Sequence, residues 1–429
     1  MAESTSGRLS SRAFLAAAAA AACFGSAPGL AQETGKPDDV ERRLEDVERR
    51  NRELEARLDE IDGGAETEEG AGDAVEHLGL GLNIKRGPIR ATLQLFGDVN
   101  FKYDNPARAD RSNSAFGFGQ INAFFTSQIG DNFQVLSETV IKTRESKTSD
   151  DLVFDQERLF GSWTLSDALY AKLGLEHSPV SRWNRVYHHG RWLETTIDRP
   201  FLARFEGTGG VFPMHQAGLE LGGTLGCDLG RLEYLGVVSN GRGETVTRVQ
   251  KVSDVNDSKA LDFGIGLLPS SVEGLRVGGN AHFEEIPSDD GNPARSGSIG
   301  EFIPSGSAEY RSYPIEVISE FAYVDHDDRV SDMTFGHHSG YVQIGYHEGD
   351  LTPYTRFDYR QMERGDPFYS AVDRDLDRWE QIVGVRYDIL SNVALKLEVG
   401  IGRAELRSDS GDIRRNTVVL AGFQLSWVF

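Results

Sequence analysis

Val419-Leu-Ala-Gly-Phe-Gln-Leu-Ser-Trp-Val-Phe429 are the last residues of the sequence. Val419, Ala421, Phe423, Leu425, Trp427 and Phe429 fall on every second position, and Gly422, Gln424 and Ser426 lie between them. A period of two puts these sets on opposite faces of one β-strand. A strand of this length, apolar on one face only, suits a tilted crossing of a hydrocarbon layer about 30 Å thick. The other reading is a half-buried strand of a soluble sandwich, which the repetition of the pattern along the chain argues against.

The same alternation recurs upstream. It predicts strands over 89–103, 115–129, 132–144, 154–165, 168–176, 213–225, 230–239 and 258–268. It predicts others over 273–285, 305–312, 314–324, 336–347, 351–362, 377–389, 391–405 and 413–429, sixteen in all. Tight turns such as Gly130-Asp131, Ser166-Asp167 and Cys227-Asp228 take turns with long polar connections, including 177–212, 240–257, 286–304, 325–335 and 363–376. Short turns at one end and long loops at the other are the asymmetry of a transmembrane barrel. His77 to Ile84 reads as a partial strand or a plug.

The faces identify the solvent. Val393, Leu395, Leu397, Val399 and Ile401 oppose Lys396 and Glu398, and Leu169, Ala171, Leu173 and Leu175 oppose Lys172 and Glu176. Sixteen strands enclose a lumen too wide for side chains to fill, so the apolar face has to point outward into lipid. The expected fold is therefore all-β: a transmembrane antiparallel β-barrel of about sixteen strands.

Composition agrees. The chain has 429 residues with 39% hydrophobic content, Gly 48, Pro 14 and Cys 2. No apolar run of roughly 18 residues exists beyond the start, which excludes membrane-spanning helices, whereas a barrel with a polar lumen escapes that test. A net charge of -22 argues against nucleic acid as a partner. Acid clusters such as Asp325, Asp327 and Asp328 fall in expected loops, where they add solubility or hold divalent cations at a lipopolysaccharide surface.

Residues 1–31 read as an export signal, with Arg8 and Arg12 before the apolar run from Ala13 and cleavage after Ala31. Cleavage leaves Cys227 alone, so no intramolecular disulfide forms. After a linker over 32–39, residues 40–62 carry a heptad with core positions Val40, Leu44, Val47, Asn51, Leu54, Leu58 and Ile61. Arg43, Arg50 and Arg57 at g face Glu48, Glu55 and Asp62 at the following e positions, as a parallel coiled coil requires. Three heptads are marginal alone, so this helix forms where the barrels already hold chains together. Residues 63–76 are a Gly- and Glu-rich tether, and 77–429 are the barrel.

The segment 177–212 follows the fifth strand. It concentrates Arg182, Arg185, Arg191, Arg199 and Arg204, the aromatics Trp183, Tyr187, Trp192, Phe201 and Phe205, and His177, His188 and His189. Guanidinium groups grip carboxylate and phosphate, and rings of Arg select anions in pores. Arg182, Arg185, Arg191, His188 and His189 are the expected solute-facing residues of a constriction; the other reading is that these arginines pair with lumen acids and pin the loop. Tyr187-His188-His189 with His215 offers imidazoles to a metal. Adjacent histidines on an extended chain point opposite ways, however, and no carboxylate is placed beside them, so no metal and no cofactor is expected. No spacing singles out a nucleophile with its base, and no enzyme is expected.

On the heptad, the long fifth-strand loop and Leu425-Ser-Trp-Val-Phe429, the chain resembles outer-membrane porins, in particular the phosphate-selective porin superfamily with an N-terminal periplasmic coiled coil. The resemblance implies a homotrimer in a Gram-negative outer membrane, with the coiled coil in the periplasm, passing small hydrophilic solutes, anions among them, by diffusion. It implies Phe429 and Trp427 as the signal read by the barrel-assembly machinery. The expected lumen is acid-rich and lacks a Lys/Arg ladder, so phosphate specificity is not carried over. Two further readings stay open: a plugged barrel tethered through its coiled coil, and a barrel enzyme.

Overall fold

The computed structural model describes residues 74–76 and 81–429, apart from 106–113, 146–149, 189, 205–209, 249–252, 290, 293–294, 370–375 and 408–411. The export signal, the heptad with Leu44, Val47, Asn51, Leu54 and Leu58, and most of the tether lie outside the described residues.

Two short strands, β1 (Ala74–Glu76) and β2 (Leu82–Arg86), precede sixteen long ones. These are β3 (Ile89–Asn105), β4 (Ser114–Ile129), β5 (Phe133–Glu145), β6 (Asp150–Ser166), β7 (Leu169–His177), β8 (His215–Cys227), β9 (Gly230–Ser239) and β10 (Ala260–Pro269). There follow β11 (Leu275–Ile286), β12 (Ile299–Ser312), β13 (Ile315–Asp328), β14 (Met333–Tyr346), β15 (Leu351–Met362), β16 (Arg378–Leu390), β17 (Val393–Arg407) and β18 (Ile413–Val428). Each pairs antiparallel with the next, and β18 pairs back onto β3 from Val419↔Asn105 to Val428↔Phe96, so the sheet closes on itself. Phe429 completes the seam, its N–H donating to Leu95 O at 3.0 Å while Leu95 N–H donates to Phe429 O at 2.7 Å.

Beyond Phe429 the edge of β3 is taken over by β2, from Leu82↔Leu93 to Arg86↔Ile89, and β1 adds to β2. Within the stretch expected as a partial strand or plug, Leu82 to Ile84 thus belong to a strand that continues the wall where β18 runs out, and residues 77–80 lie outside the described residues. β1 falls within the residues read as tether.

Two connections are shorter than expected. Strand β12 begins at Ile299 rather than 305, although Pro304 stands inside it. Proline has no N–H to give a ladder, and the pairing with β13 skips Ile303 and Pro304 and resumes at Ser305↔Ala322. The acid-rich stretch 325–335, expected as a long loop, is mostly strand, and only residues 329–332 turn, with Asp332 at φ 59°. Here the alternation hides in polar letters: Val324, His326 and Asp328 are buried and face inward.

The wall is apolar outside and polar inside. On β17, Leu397, Val399 and Ile401 are exposed while Lys396 and Glu398 are buried. On β18, Val419 and Phe423 are exposed, as is Phe429 just after it, and Gln424 and Ser426 are buried. The same outer band carries Phe118, Phe154, Trp163, Leu173, Phe263, Ile265 and Val383. Burying that much apolar surface needs an apolar surrounding.

Candidate functional site: a loop across the lumen

The connection between β7 and β8 carries the helix α1 (Arg182–Tyr187) and a 3-10 turn at Phe201–Ala203. Ser181 caps α1, its side chain accepting from Asn184 N–H at 3.2 Å. The next two N–H groups find their acceptor on β13: Arg182 and Trp183 donate to Glu320 at 2.7 and 2.6 Å. A carboxylate there suits the positive end of a helix.

From its roots on β7 and β8 the loop reaches the far wall. Arg182 Nε donates to Glu309 on β12 at 3.1 Å, and Ser305 donates to Val180 O at 2.5 Å. Thr195 donates to Glu316 on β13 at 3.1 Å, and Phe201 N–H to Asp358 on β15 at 3.1 Å. Arg386 on β16 donates to Trp192 O at 2.5 Å, and Lys396 on β17 to Thr196 O at 3.1 Å. Lys102 on β3 pairs with Asp198 at 2.5 Å. Partners running from β12 round to β3 place the loop across the lumen.

An apolar cluster inside the barrel welds the loop to one side. Val180, Trp183, Tyr187, Leu202 and Phe212 pack with Ile286, Ile299, Ile303, Ile318, Ala322 and Val324. The connection after β15 also folds in: Phe368 and Tyr369 are fully buried in the same cluster, and Tyr369 OH donates to Val211 O at 2.5 Å. The only sequence signal for this second inward loop was the apolar pair Phe368-Tyr369 in a polar stretch.

Two cavities lie beside the loop among the described residues. One of about 370 Å³ lies toward the long-loop ends of β3 and β16, where Lys102, Arg191, Arg199, Arg204 and Arg378 face Asp104, Asp198, Glu380 and Glu398. The other, about 230 Å³, lies toward the short-turn ends of β7 and β9, where Arg182, Arg185 and Arg276 face Glu233. Basic side chains outnumber acidic ones in both, five to four and three to one.

The expected constriction residues divide between these roles. Arg182 and Arg185 line the smaller cavity and Arg191 the larger. Each is also paired: Arg182 with Glu309, Arg185 with both oxygens of Glu220 at 2.7 and 2.8 Å, and Arg191 with Glu194 at 2.8 Å. His188 is buried and lines neither cavity, and His189 lies outside the described residues. Desolvation inside the barrel pushes the half-buried Asp198 carboxyl up, but Lys102, Arg191 and Arg204 outweigh it and hold it well below the usual range. Burial, with Arg191 beside it, lowers Arg199 to about 9. Burial alone would lower Arg191 too, but Glu194 and Asp198 raise it.

No family model matches the sequence, and no curated protein does. Solved structures do. The anion-selective porin from Comamonas acidovorans is similar with a TM-score of 0.57 at 10% identity, over 80% of this chain and 100% of its own. The fold is a porin fold. The outer membrane channel DcaP of Acinetobacter baumannii gives 0.54 at 13% identity, over 80% of this chain and 99% of its own. The trimer form of OmpT, an outer membrane protein of Vibrio cholerae, gives 0.50 at 10% identity, over 79% of this chain and 99% of its own. At such identities the likeness carries the porin fold alone.

Proposed function

We propose that this chain is an outer-membrane channel through which small hydrophilic solutes diffuse, narrowed by the loop between β7 and β8. The observation that carries the reading is that loop, hydrogen-bonded to the wall from β12 round to β3, with a charged cavity on either side of it. A band of exposed Phe, Leu, Ile and Val outside and charged side chains inside support a bilayer setting with a water-filled path. The basic excess in both cavities favours anionic solutes, carboxylates and phosphates among them. The channel works as a homotrimer, with the heptad over 40–62 as a parallel periplasmic coiled coil.

The apolar cluster of Trp183, Tyr187, Leu202 and Phe212 against the wall supports a second reading, a closed barrel with an envelope-tethering role. Single-channel recording on the refolded protein, with the reversal potential taken across a KCl gradient, separates the two. Stepwise openings with anion preference support the channel; a silent bilayer with folded protein overturns it in favour of the plug.

A further inference from the structure

His177 ends β7 and His215 begins β8, and the two are direct partners in the antiparallel register. His188 joins them from the residue after α1. Its ring centroid lies 4.0 Å from that of His177 and 4.7 Å from that of His215, and the latter two are 5.4 Å apart. One ring nitrogen from each lies within 4.8 Å of the others, and all three residues are buried. Nitrogens spaced that far apart sit at most ~2.8 Å from a common centre, so sub-ångström shifts reach the 2.0–2.1 Å of a zinc–imidazole bond.

The surroundings supply what such a centre needs. His188 Nδ1 is hydrogen-bonded to Asn184 Oδ1. An amide oxygen accepts, so Nδ1 carries the proton and Nε2 is left with its lone pair, the outer-shell arrangement that orients a ligating imidazole. Glu157 Oε2 lies 2.6 Å from His215 Nε2, and Glu138 Oε2 lies 3.9 Å from His177 Nε2. Glu138 is fully buried, its Oε2 accepts from Arg158 Nε at 2.5 Å, and its Oε1 has no hydrogen-bond partner among the described residues. A buried carboxylate oxygen left without a donor is costly, and a cation at the histidine cluster offsets that cost.

We infer that His177, His188 and His215 bind one first-row transition-metal ion of the zinc, copper or nickel class, with Glu157 and Glu138 supplying negative charge. Three imidazoles select those ions over calcium and magnesium, which prefer oxygen. The ion ties the lumen loop, at the residue after α1, to the paired ends of β7 and β8. The sequence argument against a metal assumed an extended Tyr187-His188-His189 and no carboxylate nearby. His188 instead follows a helix, and β5 and β6 bring two carboxylates.

The test uses Co²⁺ as probe on full-length protein refolded in detergent after chelator treatment. The expected result is one ion per chain by elemental analysis, visible d–d absorption displaced by Zn²⁺, and imidazole scattering at the cobalt edge. In His188→Gln and His215→Gln, with folding checked by heat-modifiable gel mobility, affinity should fall by roughly a hundredfold or more, beyond the loss typical of an outer-shell partner. His338→Gln should bind as wild type. No saturable binding to the wild type, an edge spectrum without imidazole, or binding lost only on His337→Gln in the separate His326–His337–Asp366 cluster overturns the assignment. The wild-type titration and spectrum decide even if a variant does not fold.

Discussion

Arg356 on β15 holds Thr196 in the lumen loop, its Nη1 donating to Thr196 Oγ1 at 2.6 Å across 160 positions of sequence. The same guanidinium donates to Asp198 O at 2.6 Å and to Asp358 at 2.6 Å, and it is fully buried. It ties wall to loop at Thr196, Asp198 and Arg199 at once. Arg356→Met removes all of these bonds and leaves Asp358 buried without its cationic partner, which costs about 3–5 kcal/mol. The expected outcome is a lower unfolding temperature on heat-modifiable gels and noisier single-channel current. Unchanged stability and quiet current would falsify the anchoring role.

If the loop is the proposed constriction, deleting 178–212 and joining β7 to β8 with a short turn should raise conductance, roughly twofold or more for a lumen of this strand number. The apolar faces of Ile286, Ile299 and Ile303 lose their cover in this variant, so stability should drop as well. Equal conductance with and without the loop sinks its role as constriction.

Gly97 on β3 lies under the indole of Trp427. A methyl group there would meet Trp427 Cε2 at 2.6 Å, at the seam that closes the barrel. Gly97→Ala should cost about 1–3 kcal/mol through overpacking, seen as a lower denaturation midpoint and slower assembly. Trp427→Ala in the same background should recover part of the loss. Failure of that rescue would show that the contact is not the cause.

The Lys102–Asp198 pair leaves both side chains about two-fifths exposed, 40% and 41%, so water screens it and its contribution is under about 1 kcal/mol. The carboxyl of Asp198 is nevertheless held below its ordinary value. For an acid depressed on folding, the stability is present above the unfolded pKa of about 4 and is lost as pH falls through the lower folded value. Conductance and loop protection should therefore hold from neutral pH down to about pH 4 and change only below it. A transition near pH 6 would point to histidine instead.

Removal of residues 40–62 should leave a trimer that dissociates at a lower temperature, because three heptads add to an interface without creating one. Cross-linking and native gels read this directly. Monomers after removal would mean that this segment drives assembly.

The barrel was legible because each strand states its own two faces. Val399 beside Glu398, or Phe423 beside Gln424, needs no knowledge of the rest of the chain. The turn at 329–332 was missed because its flanks alternate in acids and histidines rather than in apolar residues. At the site, the long arginine-rich loop stood out by length and charge, and Arg356, Glu320, Lys396 and Glu398 could be placed on the lumen face by parity alone. Which of them meets which loop residue could not be read.

Local period-two patterning determined the sixteen strands, their inward and outward residues, the alternation of turn and loop, and the aromatic closing strand. These are short-range properties, written within about ten residues of one another. Tertiary structure alone decided that Glu320 receives the first turn of α1, that Phe368 and Tyr369 fold inward beside Phe212, and that three histidines from two strands and a loop share one buried point. Parity assigns a side chain to the lumen but not its height or its azimuth on the wall. Those depend on register summed around the closed ring and on the path of a loop whose partners lie more than a hundred residues away.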